Sequence, residues 1–96
     1  MKIYTGDSTI KLAENLIETS NQVVTHLVLS KGQAVPQHHA KYTVIVVPIK
    51  GKIVFSDENK SETIYPGKIV QMIPDELHDL KALEDSELMV VKSTLA

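Results

Sequence analysis

The stretch "VPQHHAKYTVIVVPIKGKIVF", residues 35–55, decides the fold. Two adjacent histidines, His38 and His39, follow a proline and precede an apolar run. That run, YTVIVVPI at residues 42–49, is apolar at successive positions, which is typical of a β-strand buried on both faces. Pro48 cannot donate a hydrogen bond to a neighbouring strand, so it predicts an edge, a bulge or a bend near the end of this strand.

On either side of this stretch, turn signals rich in Gly, Pro, Asp and Asn recur roughly every ten residues, the spacing of small all-β sandwiches and barrels. The predicted strands between them are residues 23–30, 42–49, 52–56, 61–65, 69–73, 78–83 and 87–92. Residues 11–18 (KLAENLIE) instead place their apolar side chains at helical spacing. The sequence therefore predicts one all-β domain over residues 1–96, a small antiparallel β-barrel or jelly roll with at most one short N-terminal helix.

The composition narrows the classes of function. The chain has no cysteine, which excludes disulfides and cysteine-bound zinc, and this agrees with a cytoplasmic location. All ten basic residues are lysines, so no guanidinium can clamp a carboxylate or phosphate. The net charge is −2, and charged residues of both signs are interspersed along the chain. Because no basic patch results, the sequence gives no support to a nucleic-acid partner. No apolar run has the length of a signal peptide or a membrane span, so a membrane partner is not expected.

The short chain also predicts self-association. A domain of 96 residues buries only roughly 60–65% of the surface that its unfolded chain exposes. Apolar strands in such a domain leave edges and faces that a second copy can cover. We therefore expect a symmetric homodimer, the commonest closed assembly.

Two segments share a motif of a turn glycine followed, after a gap, by a histidine and a strand. In the first, five residues separate Gly32 from His38, and Gly51 closes the apolar run. In the second, ten residues separate Gly67 from His78. These spacings resemble the two motifs of the cupin superfamily, and the resemblance extends over roughly residues 21–92.

The resemblance implies a barrel in which three histidines and one glutamate hold a metal when one is present. Here His38 and His78 match two of these four positions, whereas Ala40 stands in place of the second histidine and Val44 in place of the glutamate. His39 is an additional imidazole. Neighbouring strand residues point to opposite faces, so His39 points outward if His38 points inward, unless the proline approach breaks this alternation.

Two interpretations of these histidines stay open. His38 and His78, with or without His39, bind a divalent ion, for which imidazole nitrogen suits Zn, Ni, Fe or Cu. Alternatively, His38 and His78 are polar residues of a pocket that holds no metal tightly, because the missing glutamate removes the anionic ligand.

The alternation of the strand predicts the rest of the pocket. Ala40, Val44 and Val46 share the parity of His38 and should line the same interior with apolar surface. Gln71, the polar residue of IVQMI, either lines the pocket or faces solvent. His26 lies in the middle of a predicted strand and is expected to be structural or to face outward.

These features favour a cupin-domain protein that binds a small molecule, with a weakly held divalent metal as an optional ligand and no catalysis assured. A metal-dependent enzyme of the dioxygenase or isomerase type, acting on a small organic substrate, is the first alternative. A structural or regulatory dimer with an idle pocket is the second. The superfamily hosts all of these functions, so the fold does not choose among them.

Overall fold

The computed structural model describes residues 1–38 and 41–94, with Gln37 and His38 in their backbone alone. These ranges form nine β-strands and contain no helix, and therefore no helix with the length and apolar character of a membrane span. The strands are β1 (Leu12–Glu18), β2 (Gln22–Leu29), β3 (Ala34–His38), β4 (Thr43–Lys50), β5 (Ile53–Asp57), β6 (Ser61–Ile64), β7 (Val70–Met72), β8 (His78–Ala82) and β9 (Ser86–Ser93).

The nine strands form two antiparallel sheets. One has the order β1-β2-β9-β4-β7 and the other has the order β3-β8-β5-β6. Their inner faces enclose one hydrophobic core, built from Leu29, Val44, Val46, Ile53, Phe55, Ile64, Met72, Leu80, Ala82, Leu88 and Val90. The prediction of an all-β jelly roll is confirmed, and the strands of this core come mainly from the Val- and Ile-rich runs that the sequence identified.

The prediction of a short helix over residues 11–18 is wrong, because this segment forms strand β1. It pairs with β2 from Leu12 to Glu18, with a register shift between Asn15 and Ile17. Leu12 has a φ of 75°, a left-handed conformation incompatible with an α-helix. Pairing with a strand that is already half-buried outweighs the weak helical periodicity. The register shift also explains why the segment lacks the strict alternation by which strands are recognised.

Two further features of the chain shape the ends of the strands. β3 was not predicted, because its sequence AVPQH contains a proline that weakens the pattern of a strand. Pro48 lies beside a register shift in the pairing of β4 with β9, as the sequence analysis expected of it. After β4 the chain turns at Gly51, which has a φ of 84°, a conformation that favours glycine. A Cβ at this position would also collide with Ser86.

Candidate functional site

The interior of the barrel contains a cavity of about 160 Å³ between the two sheets. Its described lining is apolar apart from three residues, Thr25, His78 and Lys92. The apolar residues are Leu12, Ala13, Leu27, Val35, Val44, Val46, Phe55, Leu80 and Val90. A concave apolar site with a few polar groups is the usual form of a small-molecule binding site.

His78 is the histidine that the structure places on this cavity. It begins strand β8, and its side chain is 5% exposed. The ring stacks on Phe55 with a centroid distance of 5.5 Å and an angle of 14° between the ring planes. Its Nδ1 lies 3.2 Å from the main-chain oxygen of Glu76, and since a carbonyl only accepts, Nδ1 carries the proton of this hydrogen bond.

The backbone brings His38 and His78 together. They are Cα partners in the antiparallel pairing of β3 with β8, which follows a register shift after Val35. The side chain of His38 is outside what the structure describes. The predictions for His39 and Ala40 lie outside the described residues altogether.

The other predicted pocket residues are divided between two places. Val44 and Val46 line the cavity and are 3% and 2% exposed. Gln71 does not line it. It is exposed and pairs with Ile45, which lies between the two inward valines, so Gln71 belongs to the outer face of the sheet. It borders a second cavity, of about 220 Å³, whose lining combines the core residues Phe55, Ile64 and Met72 with charged side chains.

Sequence reasoning missed Lys92 as a cavity residue. It follows Leu88 and Val90, both buried in the core, at alternate positions of β9. Its Cα partner Val44 faces the cavity, so the register agrees with the alternation. Leu88, Val90 and Lys92 occupy alternate positions of one strand, and this alternation alone predicts that Lys92 faces inward. A lysine near the end of a strand is, however, ordinarily interpreted as a solvated residue.

The described lining offers His78 as its single histidine and has no carboxylate. In the part of the chain with described side chains, no group of three or more His, Asp and Glu residues could hold a metal. At the position where the cupin motif has its glutamate, Val44 presents a buried apolar surface. The described residues therefore do not fit the four-ligand site of the motif, and a metal here would depend on nitrogen ligands.

A second buried histidine lies on the opposite face of the five-stranded sheet. His26 is 1% exposed, its Nδ1 lies 2.8 Å from Oε2 of Glu14, and its Nε2 lies 2.8 Å from Oε1 of Glu87. Carboxylates only accept hydrogen bonds, so both ring nitrogens donate and the ring is an imidazolium. Burial alone would lower the pKa of His26, but the hydrogen bonds to Glu14 and Glu87, together with their charges, raise it.

The N-terminal segment covers this outward histidine. A Cβ added at Gly6 would lie 2.8 Å from Nδ1 of His26. Two further hydrogen bonds hold the carboxylates, from the main-chain N–H of Asp7 to Glu14 and from the hydroxyl of Ser8 to Glu87. The cluster of Glu14, His26 and Glu87 is therefore a fully bonded structural element on the outside of the barrel.

Sequence comparison finds a distant relative of this chain. No protein-family model matches the chain. The uncharacterized protein MJ0764 of Methanocaldococcus jannaschii is 26% identical over 71 residues, which are 74% of this chain and 61% of that protein. The matched region thus spans less than two thirds of the relative's length.

Solved structures extend the likeness to the whole fold. The crystal structure of MJ0764, described as an RmlC-like cupin family protein with a double-stranded β-helix fold, has a TM-score of 0.79 at 26% identity, covering 97% of this chain and 90% of that one. An RmlC-like cupin protein from Desulfovibrio desulfuricans has a TM-score of 0.86 at 16% identity, covering 98% and 97%. With its two antiparallel sheets and its interior cavity, the chain has the fold of these small RmlC-like cupin proteins.

Proposed function

We propose that this cupin binds a small, largely apolar organic molecule inside its barrel. The observation that carries the proposal is the apolar cavity of about 160 Å³ that His78 and Lys92 border. An engineered protein cavity of about 150 Å³ lined by apolar side chains is large enough to bind benzene. The ligand is therefore about the size of one six-membered ring with a small substituent.

Methyl NMR tests this proposal directly. Benzamide and benzoate are added separately to protein carrying ¹³C-labelled Val and Leu methyl groups. We expect saturable shifts in the methyl signals of Leu27, Val44 and Val90, which line the cavity. Val90→Phe fills the cavity and should abolish the shifts, with Val46→Leu as a milder variant.

Val54→Phe serves as the matched control, because it adds the same ring where the side chain points away from the core, between the buried Ile53 and Phe55. It should leave the shifts unchanged. If neither benzamide nor benzoate perturbs the cavity methyls of the parent protein, the proposed function is wrong.

A weakly bound divalent metal beside this cavity is a second proposal. It is supported by the pairing of His38 with His78 and by the hydrogen bond from Nδ1 of His78 to the main-chain oxygen of Glu76. A hydrogen bond from the other ring nitrogen is the usual support of a metal-bound histidine. Without a carboxylate from Val44, such a site should favour Zn, Ni, Fe or Cu over Mg or Ca.

Titration calorimetry with Zn²⁺ and Ni²⁺ on three variants tests the metal proposal. His38→Ala and His78→Ala should abolish binding, whereas His39→Ala should matter less. Affinity should fall as the pH drops through about 6.5, because a protonated imidazole cannot ligate. Equal binding by all three variants and the parent would exclude a histidine metal site.

We further propose a symmetric homodimer formed through the outer face of the five-stranded sheet. Half-buried or exposed apolar side chains cover that face at Val24, Val28, Ile45, Val47, Ile49, Met89 and Val91. Contiguous apolar surface of this kind commonly marks an interface. Sedimentation velocity should give a dimer for the parent and a monomer for Ile45→Lys, with Val54→Lys as the control on the other sheet. A parent that is monomeric at micromolar concentration would contradict the proposal.

A cytoplasmic location is proposed on the absence of cysteine. Fractionation of cells that express the chain from its own gene tests this, and recovery outside the cytoplasm would contradict it.

A further inference from the structure

Lys92 is the one lysine in the described lining of the cavity. Its Cα partner on β4 is Val44 and its Cα partner on β2 is Val23, and it lies two residues after the cavity residue Val90. The side chain is half-buried, so part of it is removed from water. A half-buried lysine packs its stem along apolar surface while its ammonium reaches toward water, which favours a position of the ammonium at the mouth of the cavity.

The protein supplies no opposite charge at this point. Among the described residues, no carboxylate forms an ion pair with Lys92, and the described lining of the cavity has no acidic side chain. The hydroxyl of Thr25 donates to Oδ1 of Asn15 at 2.7 Å, so its proton is already engaged. The described lining therefore combines one lysine and no acidic side chain with a surface that is otherwise mostly apolar.

This charge balance selects a class of ligand. Resting on the proposed small-molecule function, we propose that the cavity binds a small organic monocarboxylate, with the carboxylate at the Lys92 ammonium and the apolar body against Val44, Val46 and Val90. One cation matches one negative charge, and hydrogen bonds between ionised groups are the stronger kind. The cavity volume limits the body to about one ring, which excludes larger acids.

The test compares benzoate with benzamide, which has nearly the same shape without the charge. Both are titrated calorimetrically into protein freed of metal by a chelator and dialysed. The parent should bind benzoate at least tenfold more tightly than benzamide, with an affinity that falls as salt is added. Lys92→Met keeps the length and the apolar stem, and it should weaken benzoate at least tenfold while leaving benzamide within twofold.

Lys81→Met is the matched control. Lys81 also lies on a strand, in β8, but it is exposed and points away from the core, so its replacement should leave both affinities unchanged. If Lys92→Met does not weaken benzoate, or if benzamide binds the parent as well as benzoate does, the carboxylate inference is wrong although a cavity-binding function stands. If benzoate binds the parent only after Zn²⁺ is restored, a metal and not Lys92 holds the carboxylate, which also overturns the inference. If neither probe binds, the proposed function itself fails.

Discussion

His26 and His78 are almost equally buried, at 1% and 5% exposure, yet they stand in opposite surroundings. His26 faces outward under the N-terminal segment, and each of its ring nitrogens lies 2.8 Å from a carboxylate oxygen. His78 faces the cavity, stacks on Phe55, and donates from Nδ1 to a main-chain carbonyl. One histidine is bound on both sides by the protein's own charges, and the other borders space that a ligand can occupy.

The difference teaches that burial alone does not identify a functional histidine. A buried imidazole with both nitrogens bonded to carboxylates has no remaining capacity for a ligand, so its role is to join elements of the fold. Glu14 on β1, His26 on β2 and Glu87 on β9 link three adjacent strands. An imidazole that lines a cavity is instead placed to contact a bound molecule.

The largest effect should come from removing the structural histidine. His26→Ala leaves two carboxylates close together, one of them on the buried Glu87, without the imidazolium between them. Removal of one partner from a buried ion pair typically destabilises a protein by about 3–5 kcal/mol. Urea unfolding of parent and variant measures this free energy. A loss below about 1 kcal/mol would mean that the cluster contributes little to stability and that His26 is not the structural residue of the two histidines.

The protonation-linked part of this stabilisation should depend on pH. Because the pKa of His26 is raised in the folded state, its contribution is complete below the ordinary histidine pKa of about 6.5 and is lost as the pH rises through the folded-state value. The hydrogen bond from His26 lowers the pKa of Glu14, so that contribution is present above the ordinary value of about 4.3 and is lost as the pH falls through the folded-state value.

Both contributions are therefore complete between roughly pH 4.3 and 6.5. The parent should exceed His26→Gln in unfolding free energy by more at about pH 5.5 than at about pH 8.5, since glutamine cannot take up the proton. Asp7 lies near the cluster, and its pKa is lowered chiefly by hydrogen bonds from Thr9, so it titrates below this range. A difference that grows toward high pH would show that His26 is neutral in the fold.

The cavity histidine should matter less for stability. His78→Ala removes one stacked ring from Phe55, and an aromatic pair of this kind contributes about 1 kcal/mol beyond its buried area. Space already lies beside the ring, so little close packing is lost. Urea unfolding of His78→Ala should therefore show a smaller loss than that of His26→Ala. The opposite order would make His78 the structural residue of the two.

The cover over His26 can be tested at Gly6. An added Cβ would lie 2.8 Å from Nδ1 and 2.9 Å from Cε1 of the ring, and the ring cannot move easily because both of its nitrogens are held. Gly6→Ala should lower the unfolding free energy by about 1 kcal/mol through overpacking. Gly32→Ala is not a suitable control, since its φ of 84° adds backbone strain. Ser8→Ala, which removes one hydrogen bond to Glu87 without crowding the ring, is the better comparison.

Most of the strands, but fewer of the site residues, could be predicted from the sequence. Seven strand predictions succeeded because Val- and Ile-rich runs end at strong turn signals. β1 failed because its bulge removes the alternation that distinguishes a strand from a helix. The same error hid the partners of His26, because Glu14 was assigned to the expected helix and Glu87 is 61 residues away in the sequence. Contacts between strands that are distant in the chain leave no local pattern.

In the site, too, the residues that could be predicted are those marked by a local pattern. His78 could be found because it opens a strand after a turn, and Val44 and Val46 because alternation fixes their face. Alternation also pointed to Lys92, but its chemical type argued for solvent. Gln71 was undecidable from IVQMI, and its face was settled by the pairing with Ile45. For Lys92, the alternation of the strand therefore predicts the face of the sheet better than the chemical type of the residue does.

The smallest effect should come from an ion pair with the same short distance but the opposite exposure. Nζ of Lys68 lies 2.7 Å from Oε1 of Glu62, slightly closer than the contacts of His26, while the two side chains are 38% and 52% exposed. Water and salt screen such a pair, and holding two long side chains in place opposes the attraction. Lys68→Met should therefore leave the urea midpoint unchanged within error at low and high salt alike. A midpoint shift that approaches that of His26→Ala would mean that distance, and not burial, decides what a charge pair contributes in this barrel.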